Sequence, residues 1–362
     1  MVDSIHGDVE LTPQEWQVVD SASFQRLRYI RQLGMAHLVY PNATHTRFAH
    51  SIGALRIMQR ILEAAEKSEI KLKSEMKDNL RLAALLHDIG HYPYSHMMEG
   101  IDKVILIEEF IEAGTAKKYV LPPGSPYPGH VRCGVLAVTR QNDLIKAIGG
   151  ASRAKQVADL FSHGSAVDPQ LSKFVSSSLD MDRLDYLLRD ARGVGVPYGE
   201  IDLNYILNSF RVSQSGIIGI TDKALPAAEH YLFARYYMHR AVYHHKTTYG
   251  FEEAARHLIR RIRDDAGKAE LYELPVDGKG IEERVSGGEF SSFTDSFLDG
   301  FLRRAAEESD QTLSLIARSL LQRRPPKLLR EVVSLDEAGK IGRAAVDFER
   351  NCRRNLAQLA DQ

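Results

Sequence analysis

The stretch from Leu80 to Leu86 constrains this chain more than any other. It reads Leu-Arg-Leu-Ala-Ala-Leu-Leu, an almost wholly apolar run that has to be a buried helical segment. It leads directly into His87-Asp88, with Gly90 two residues further on. A buried helix that ends in an imidazole and a carboxylate must supply both with partners, because an unpaired buried aspartate costs several kcal/mol. A lone buried His or Asp is usually structural. A His-Asp pair delivered by an apolar helix calls for a specific partner.

The same helical grammar runs through most of the 362 residues. Asp20 is read as an acidic cap opening a helix whose apolar positions Phe24, Leu27, Ile30 and Leu33 run to Gly34. From His50, the residues Ile52, Leu55, Met58, Ile61, Leu62 and Ala65 mark one helix face. Residues 171–190 are read as helix, and so is 224–249 as one long element. Residues 5–11 are read as a short strand and 211–221 as a hairpin turning at Ser215-Gly216. Residues 121–129 hold four prolines and form a loop. Residues 264–292 form a polar connection, and 293–321 and 335–360 read as amphipathic helices around the prolines at 325 and 326. The expected organisation is a core over residues 1–250 and a helical C-terminal region, 251–362, packed on it.

Composition narrows the function. Apolar residues make up 44% and charged residues 26%, a globular balance, and the net charge of −1 lacks the basic footprint of a dedicated nucleic-acid binder. Cys133 and Cys352 are far apart with no CxxC, which argues for a reducing, cytoplasmic setting and against a Cys-rich zinc site. No signal peptide or membrane span is expected. Histidine stands out. Fourteen are present, seven of them between His37 and His130 and five between His230 and His257.

Four side chains carry the chemistry: His50, the pair His87-Asp88, and Asp182. Neighbours on a helix differ by about 100° in direction, so His87 and Asp88 can both reach one ion only beside a helix end, which Gly90 supplies. Two imidazoles and two carboxylates form a mixed N/O site with open positions, suited to Mn, Fe, Ni or Mg. A structural zinc prefers a closed tetrahedron and fits this set less well. Arg47 lies about one turn before His50, within reach of a phosphate at the same ion. Arg235, His239, Tyr243 and Lys246 follow at spacings of four, four and three, on one helix face. That stripe suits a polyphosphate and a sugar, or else is a solvated face. Asp182, Tyr186 and Asp190 repeat every four residues.

The pattern His50…His87-Asp88…Asp182 resembles the signature of the HD-domain metal phosphohydrolases. The segments Phe24-Gln-Arg-Leu-Arg-Tyr-Ile-Arg-Gln-Leu-Gly34, Thr46-Arg-Phe-Ala-His-Ser-Ile-Gly53, Leu86-His-Asp-Ile-Gly-His-Tyr-Pro-Tyr-Ser-His96 and Asp180-Met-Asp-Arg-Leu-Asp-Tyr-Leu-Leu-Arg-Asp190 are similar to the dGTPase and SAM-and-HD-domain branch. The match extends from about residue 3 to 250, and no SAM domain is expected ahead of it. The resemblance implies a mostly α HD-domain fold with a small β-hairpin. It implies hydrolysis of deoxynucleoside triphosphates to deoxynucleoside and inorganic triphosphate.

The resemblance also implies roles. Metal ligation falls to His50, His87, Asp88 and Asp182, and proton transfer to His91, His96 and His130. Substrate contact falls to Gln32, Arg47, Arg183, Tyr186, Asp190, Arg235, His239, Tyr243 and Lys246, with the sugar 3′-hydroxyl on Asp190 and the 2′ position crowded by Tyr243. The acidic positions that the branch often carries after His96 and beside His130 are here Glu99 and Val131. Asp20, Gln25 and Arg28 match an activating-nucleotide site, and a homo-oligomer is expected. Two rivals stand beside this reading. One is an HD enzyme acting on a monophosphate, cyclic or signalling nucleotide. The other is a nucleic-acid-binding or exonuclease module.

Overall fold

The computed structural model describes residues 1–68, 71–102, 126–164, 168–214 and 217–327. The fold is helical with two minimal hairpins. Strands β1 (Val2–Asp3) and β2 (Gly7–Asp8) pair antiparallel, as do β3 (Phe210–Val212) and β4 (Ile218–Ile220). The site rests on helices α1 (Pro13–Val19), α2 (Arg47–Ala65), α3 (Ser74–Leu86), α4 (His130–Arg140), α5 (Ala151–Ser162), α6 (Met181–Val194), α7 (Leu225–Met238) and α8 (Lys246–Arg263). Helices α9 (Asp295–Ala305) and α10 (Gln311–Leu321) follow. No described helix is long and apolar enough to cross a membrane.

Helix α3 ends as its sequence requires. Leu80 and Leu82 through Leu86 are at most 1% exposed and pack against α2 and α5. Helix α2 lies between α3 and α6 and is buried on nearly every side, with Thr46 capping its first turn. His50 therefore starts at the centre of the molecule. Helix α6 begins at Met181, capped by the Asp180 side chain, and ends in left-handed Gly195 (φ 76°). The expected helix over 171–190 is thus a short turn, Pro169–Ser172, then a break, and the site helix runs on to Val194 instead of ending at 190. The Asp180 cap resets the helix there, a polar signal stronger than the apolar spacing before it.

Other expectations shift for similar reasons. Ser21, not Asp20, caps a helix of only four residues (Ala22–Gln25), which tightens into a 3₁₀ turn over Arg26–Tyr29 and stops at extended Ile30. The chain is extended there because Arg31 bridges Thr46 in antiparallel fashion. The strand expected over 5–11 is the β1–β2 hairpin, starting earlier. The hairpin expected at 211–221 is present, and its Ser215-Gly216 turn lies outside the described residues, as do 335–360 and most of the proline loop. Residues 264–292 contain two short helices, Ala266–Leu271 and Gly278–Ser286. The 293–321 segment is two helices, because Asp310 caps a new start by accepting from Thr312 and Leu313 N–H.

The element expected over 224–249 is not one straight helix. Helix α7 passes into a single π turn, His239–Tyr243, and His245 then starts α8 by accepting from Thr247 N–H. The wider turn shifts the side chains that follow it, and Lys246 opens the separate helix α8. The boundary expected at residue 250 falls inside α8. One apolar core joins residues from both sides of it.

Arg26 ties the later helices to the His-Asp turn. Its guanidinium is buried and donates to the carbonyls of Ile89 (3.2 Å), His91 (2.6 Å) and Phe293 (2.8 Å), under the Phe290 ring at 4.3 Å. With only carbonyls as partners, burial pulls its pKa down to about 9. The turn also meets α4 backbone to backbone. A Cβ on Gly90 would lie 2.1 Å from Gly134 N and 2.2 Å from His130 O. Gly90→Ala must therefore push α4 away, at a cost of about 2–3 kcal/mol and on the order of 3–4 °C in melting temperature. Gly134→Ala, whose nearest new neighbour is the Phe161 ring at 3.4 Å, costs less. Thermal unfolding of the two variants checks this order.

Candidate active site and metal centre

Helices α2, α3 and α6 bring His50, His87 and Asp182 together. Their ligand atoms lie within 4.8 Å of one another. His50 Nε2 is 3.2 Å from His87 Nε2 and 3.1 Å from Asp182 Oδ1, and His87 Nε2 is 3.6 Å from the same oxygen. Asp88 stands beside this trio, its Oδ2 3.4 Å from His50 Nε2 and its Oδ1 3.4 Å from His87 Nε2. Ligands around one ion at bonds of about 2.1 Å are separated by roughly 3.0 Å at right angles and about 3.4 Å in a tetrahedron. The observed spacings have that size.

The tautomers make the same point. His87 Nδ1–H donates to the Ala84 carbonyl at 2.8 Å, and His50 Nδ1–H donates to Asp185 Oδ2 at 2.7 Å. Both rings then turn Nε2 to the same small space, where the gap between them takes either a proton or a cation. A cation between them satisfies both lone pairs and the flanking carboxylates. His50 is at zero exposure, and although burial alone would lower its pKa, Asp182, Asp185 and Asp88 push it up to about 10. The surroundings thus ask for positive charge at that point. The donor set fits a divalent ion, and a carboxylate behind a metal-facing histidine is the usual second layer of such sites.

A cavity of about 460 Å³ opens beside this cluster. It is lined by Gln32, Arg47, His87, Asp88, His91, His96, His130, Asp182, Arg183, Tyr186, Asp190, His239 and Tyr243, all anticipated from the sequence. Leu33, Val131, Phe161, Val175, Ser176 and His244 complete the wall. His50 lies behind it. Arg235 and Lys246 are not among the residues that line it. Arg235 is instead placed against Tyr186, with its Nε buried and unpartnered. Asp20, Gln25 and Arg28 lie outside the cavity. There Arg28 donates to Gln25 at 2.7 Å and covers the Phe48 ring.

Arg47 is more committed than a free phosphate ligand. Its NH1 donates to Asp88 Oδ2 at 2.6 Å, its Nε to Ser95 at 3.0 Å and its NH2 to the Gln32 carbonyl at 3.3 Å. It aims Asp88. Opposite, three histidines pack ring on ring. His91 stacks on His130 at 4.1 Å, and His96 meets both edge-on. Glu99 joins them, 2.8 Å from His96 Nδ1 and 3.2 Å from His130 Nδ1. Burial would raise the Glu99 carboxyl, but the two imidazoles hold it below the usual range. His91 is kept neutral by burial and by the Arg47 charge, and burial lowers His96 as well, against the pull of Glu99.

At the far end Asp190 accepts from His45 Nε2–H on one oxygen and from the Tyr243 hydroxyl on the other, both at 2.8 Å. Gln32 Oε1, His91 Nδ1 and His239 Nε2 are buried without partners. Three of the cavity's walls thus carry unspent hydrogen-bonding capacity.

The sequence reading missed Asp185, His45, His244 and His6. A signal for Asp185 existed: Asp182, Asp185 and Arg189 recur at i, i+3 and i+7 on α6, and an aspartate one turn from an arginine on a buried helix announces a paired charge. His87→Ala and Asp182→Ala each remove a ligand, and both variants are expected to stay folded while bound Mn²⁺ falls below about a tenth of an equivalent. Circular dichroism and elemental analysis check this. Retention of a full equivalent contradicts the ligand assignment.

Comparison with known proteins agrees with this geometry. Residues 47–122 match the HD domain family. An uncharacterized protein of Methanocaldococcus jannaschii is 34% identical over 250 residues, covering 68% of this chain and 46% of that protein. The deoxynucleoside triphosphate triphosphohydrolase SAMHD1 of Xenopus laevis is 28% identical over 273 residues, covering 67% of this chain and 42% of its own length. A crystal structure of a Bacteroides thetaiotaomicron phosphohydrolase superposes with a TM-score of 0.74 at 23% identity, over 93% of this chain and 80% of that one, a likeness of fold. The chain spans about half the length of the first two. With the HD motif matched in sequence and its side chains gathered around one point, the chain belongs to the HD-domain family and is similar to the SAMHD1 proteins within it.

Proposed function

We propose that the chain hydrolyses deoxynucleoside triphosphates to the deoxynucleoside and inorganic triphosphate. The observation that carries this reading is the single cavity with the ligand cluster at one end and the His45–Asp190–Tyr243 chain at the other. Its volume is in the range that encloses a small organic ligand. The similarity to SAMHD1 proteins of Xenopus laevis and Danio rerio, named as deoxynucleoside triphosphate triphosphohydrolases, supports the substrate class.

In this reading His50, His87, Asp88 and Asp182 hold the ion, which when bound polarises a phosphate oxygen and lowers the pKa of water. The chain's own groups do the rest. Arg47 fixes the Asp88 carboxylate. Arg183, Tyr186 and His239 meet the phosphates. His130, held by Glu99, gives a proton to the departing 5′-oxygen. Asp190 and Tyr243 sit at the sugar. A phenol held against Asp190 leaves a 2′-hydroxyl no partner, a penalty of roughly 1–3 kcal/mol. Residues 1–250 form the catalytic core in this proposal, with cytoplasmic action, homo-oligomeric assembly and a nucleotide activator at Asp20, Gln25 and Arg28 as further parts of it.

The test is a panel of four dNTPs and four rNTPs with Mn²⁺ or Mg²⁺, read by product chromatography. Triphosphate and deoxynucleoside are the expected products. Release of orthophosphate, pyrophosphate or a monophosphate instead would overturn the reading. The wild type should favour deoxy over ribo substrates by roughly tenfold to a hundredfold in kcat/KM. Tyr243→Ala should narrow that ratio, whereas a packing role would lower stability and scale both substrates alike.

A further inference from the structure

The hairpin of residues 1–9 lines no part of the cavity, yet its side chains lead to the metal centre. Asp3 closes the turn between β1 and β2, its Oδ1 accepting from Ile5 and His6 N–H at 2.9 Å each. The turn directs His6 inward. That side chain is only 4% exposed and its Nε2–H donates to Asp185 Oδ1 at 2.6 Å. The other Asp3 oxygen takes Arg189 NH1 at 2.9 Å. Arg189 itself forks onto Asp185, Nε to Oδ2 at 2.8 Å and NH2 to Oδ1 at 2.9 Å.

The arrangement has no slack. A Cβ on Gly53, one turn along from His50 on α2, would lie 1.9 Å from Asp185 Oδ1 and 2.3 Å from Arg189. The carboxylate and guanidinium thus rest on the backbone of the helix that carries His50. A carboxylate keeps its plane only when both oxygens are held. His6 and Arg189 NH2 hold Oδ1 from two directions, and Oδ2, shared with Arg189 Nε, stays turned to His50 Nδ1–H at 2.7 Å. That bond in turn selects the tautomer that presents Nε2 to the ion.

We propose that His6 is a positioning residue of the metal centre, acting through Asp185 on His50, so that the hairpin of residues 1–9 sets how firmly the centre holds its ion. The inference rests on the reading of the His50 cluster as a metal site and is independent of the substrate.

The experiment is calorimetric titration of the metal-free chain with Mn²⁺, together with the rate of Mn²⁺ release to a chelator. His6→Ala should raise the dissociation constant by about tenfold or more and speed release, the size of effect known for second-layer partners. His6→Gln, whose amide N–H can still reach Asp185 Oδ1, should stay within about threefold of the wild type. Arg192→Ala is the control. Its exposed guanidinium donates to the Ser4 carbonyl at 2.9 Å, while the Asp3–Arg189 and His6–Asp185 contacts that hold the turn do not involve it, so it should leave Mn²⁺ affinity unchanged. Wild-type affinity in His6→Ala, or an equal loss in all three variants, overturns the proposal. Should His6→Ala fail to fold, His6→Asn takes its place: its amide is too short to reach, so it must bind Mn²⁺ more weakly than His6→Gln, and equal affinities overturn the proposal. A wild type that binds no Mn²⁺ overturns the metal reading and this inference with it. Binding without dNTP hydrolysis overturns only the proposed substrate.

Discussion

Asp185 lies at zero exposure, and its two oxygens accept from four N–H donors of three residues: His50 on α2, Arg189, twice, on its own helix α6, and His6 from the first hairpin. Burial would push such a carboxyl up, but Arg189 and the two imidazoles hold it well below the usual range, so it stays ionised. Removing one partner of a buried pair of this kind costs about 3–5 kcal/mol, because the other charge is left without compensation. The orientation of His50 depends on this cluster, and the ligand set depends on His50. The packing of α2 between α3 and α6 has its polar counterpart here.

A second network fixes the cavity wall from the other side. Arg26 reaches the carbonyls of the His-Asp turn and of Phe293 together. Asp295 accepts from the backbone N–H of Tyr94 and Arg31 at 2.7 and 3.1 Å. Residues beyond 250 therefore hold the loop that carries His91 and His96, and the later helices are structural supports of the site. The close approach of Gly90 to α4 completes this frame and brings His130 over His91.

Much of this was legible because it follows from burial. An apolar run ending in His-Asp had to deliver those groups to a partner, and His50 and Asp182 do meet them. The helical class and the hairpin near 211–221 followed from periodicity and turn residues. What escaped depends on local polar contests or on contacts distant in sequence. The break before α6 is an Asp180 cap, and the π turn at 239–243 left no periodic trace that separates it from α helix. His6 and His45 are joined to Asp185 and Asp190 across more than 140 residues, a pairing that no local pattern displays. Arg47, read as reaching a phosphate beside the ion, lines the cavity, and its further bond to Asp88 is another contact that no local pattern displays.

Two histidine clusters on the cavity could each hold an ion, His50–His87–Asp182 and His91–His96–His130, and the account depends on the first being the metal centre. In the second, Glu99 already occupies one nitrogen of both His96 and His130. Anomalous diffraction from crystals grown with Mn²⁺ separates them directly. The account predicts one strong peak in bonding contact with His50 Nε2, His87 Nε2 and carboxylate oxygens of Asp88 and Asp182. A peak confined to His91, His96 and His130, with none at His50, would contradict it.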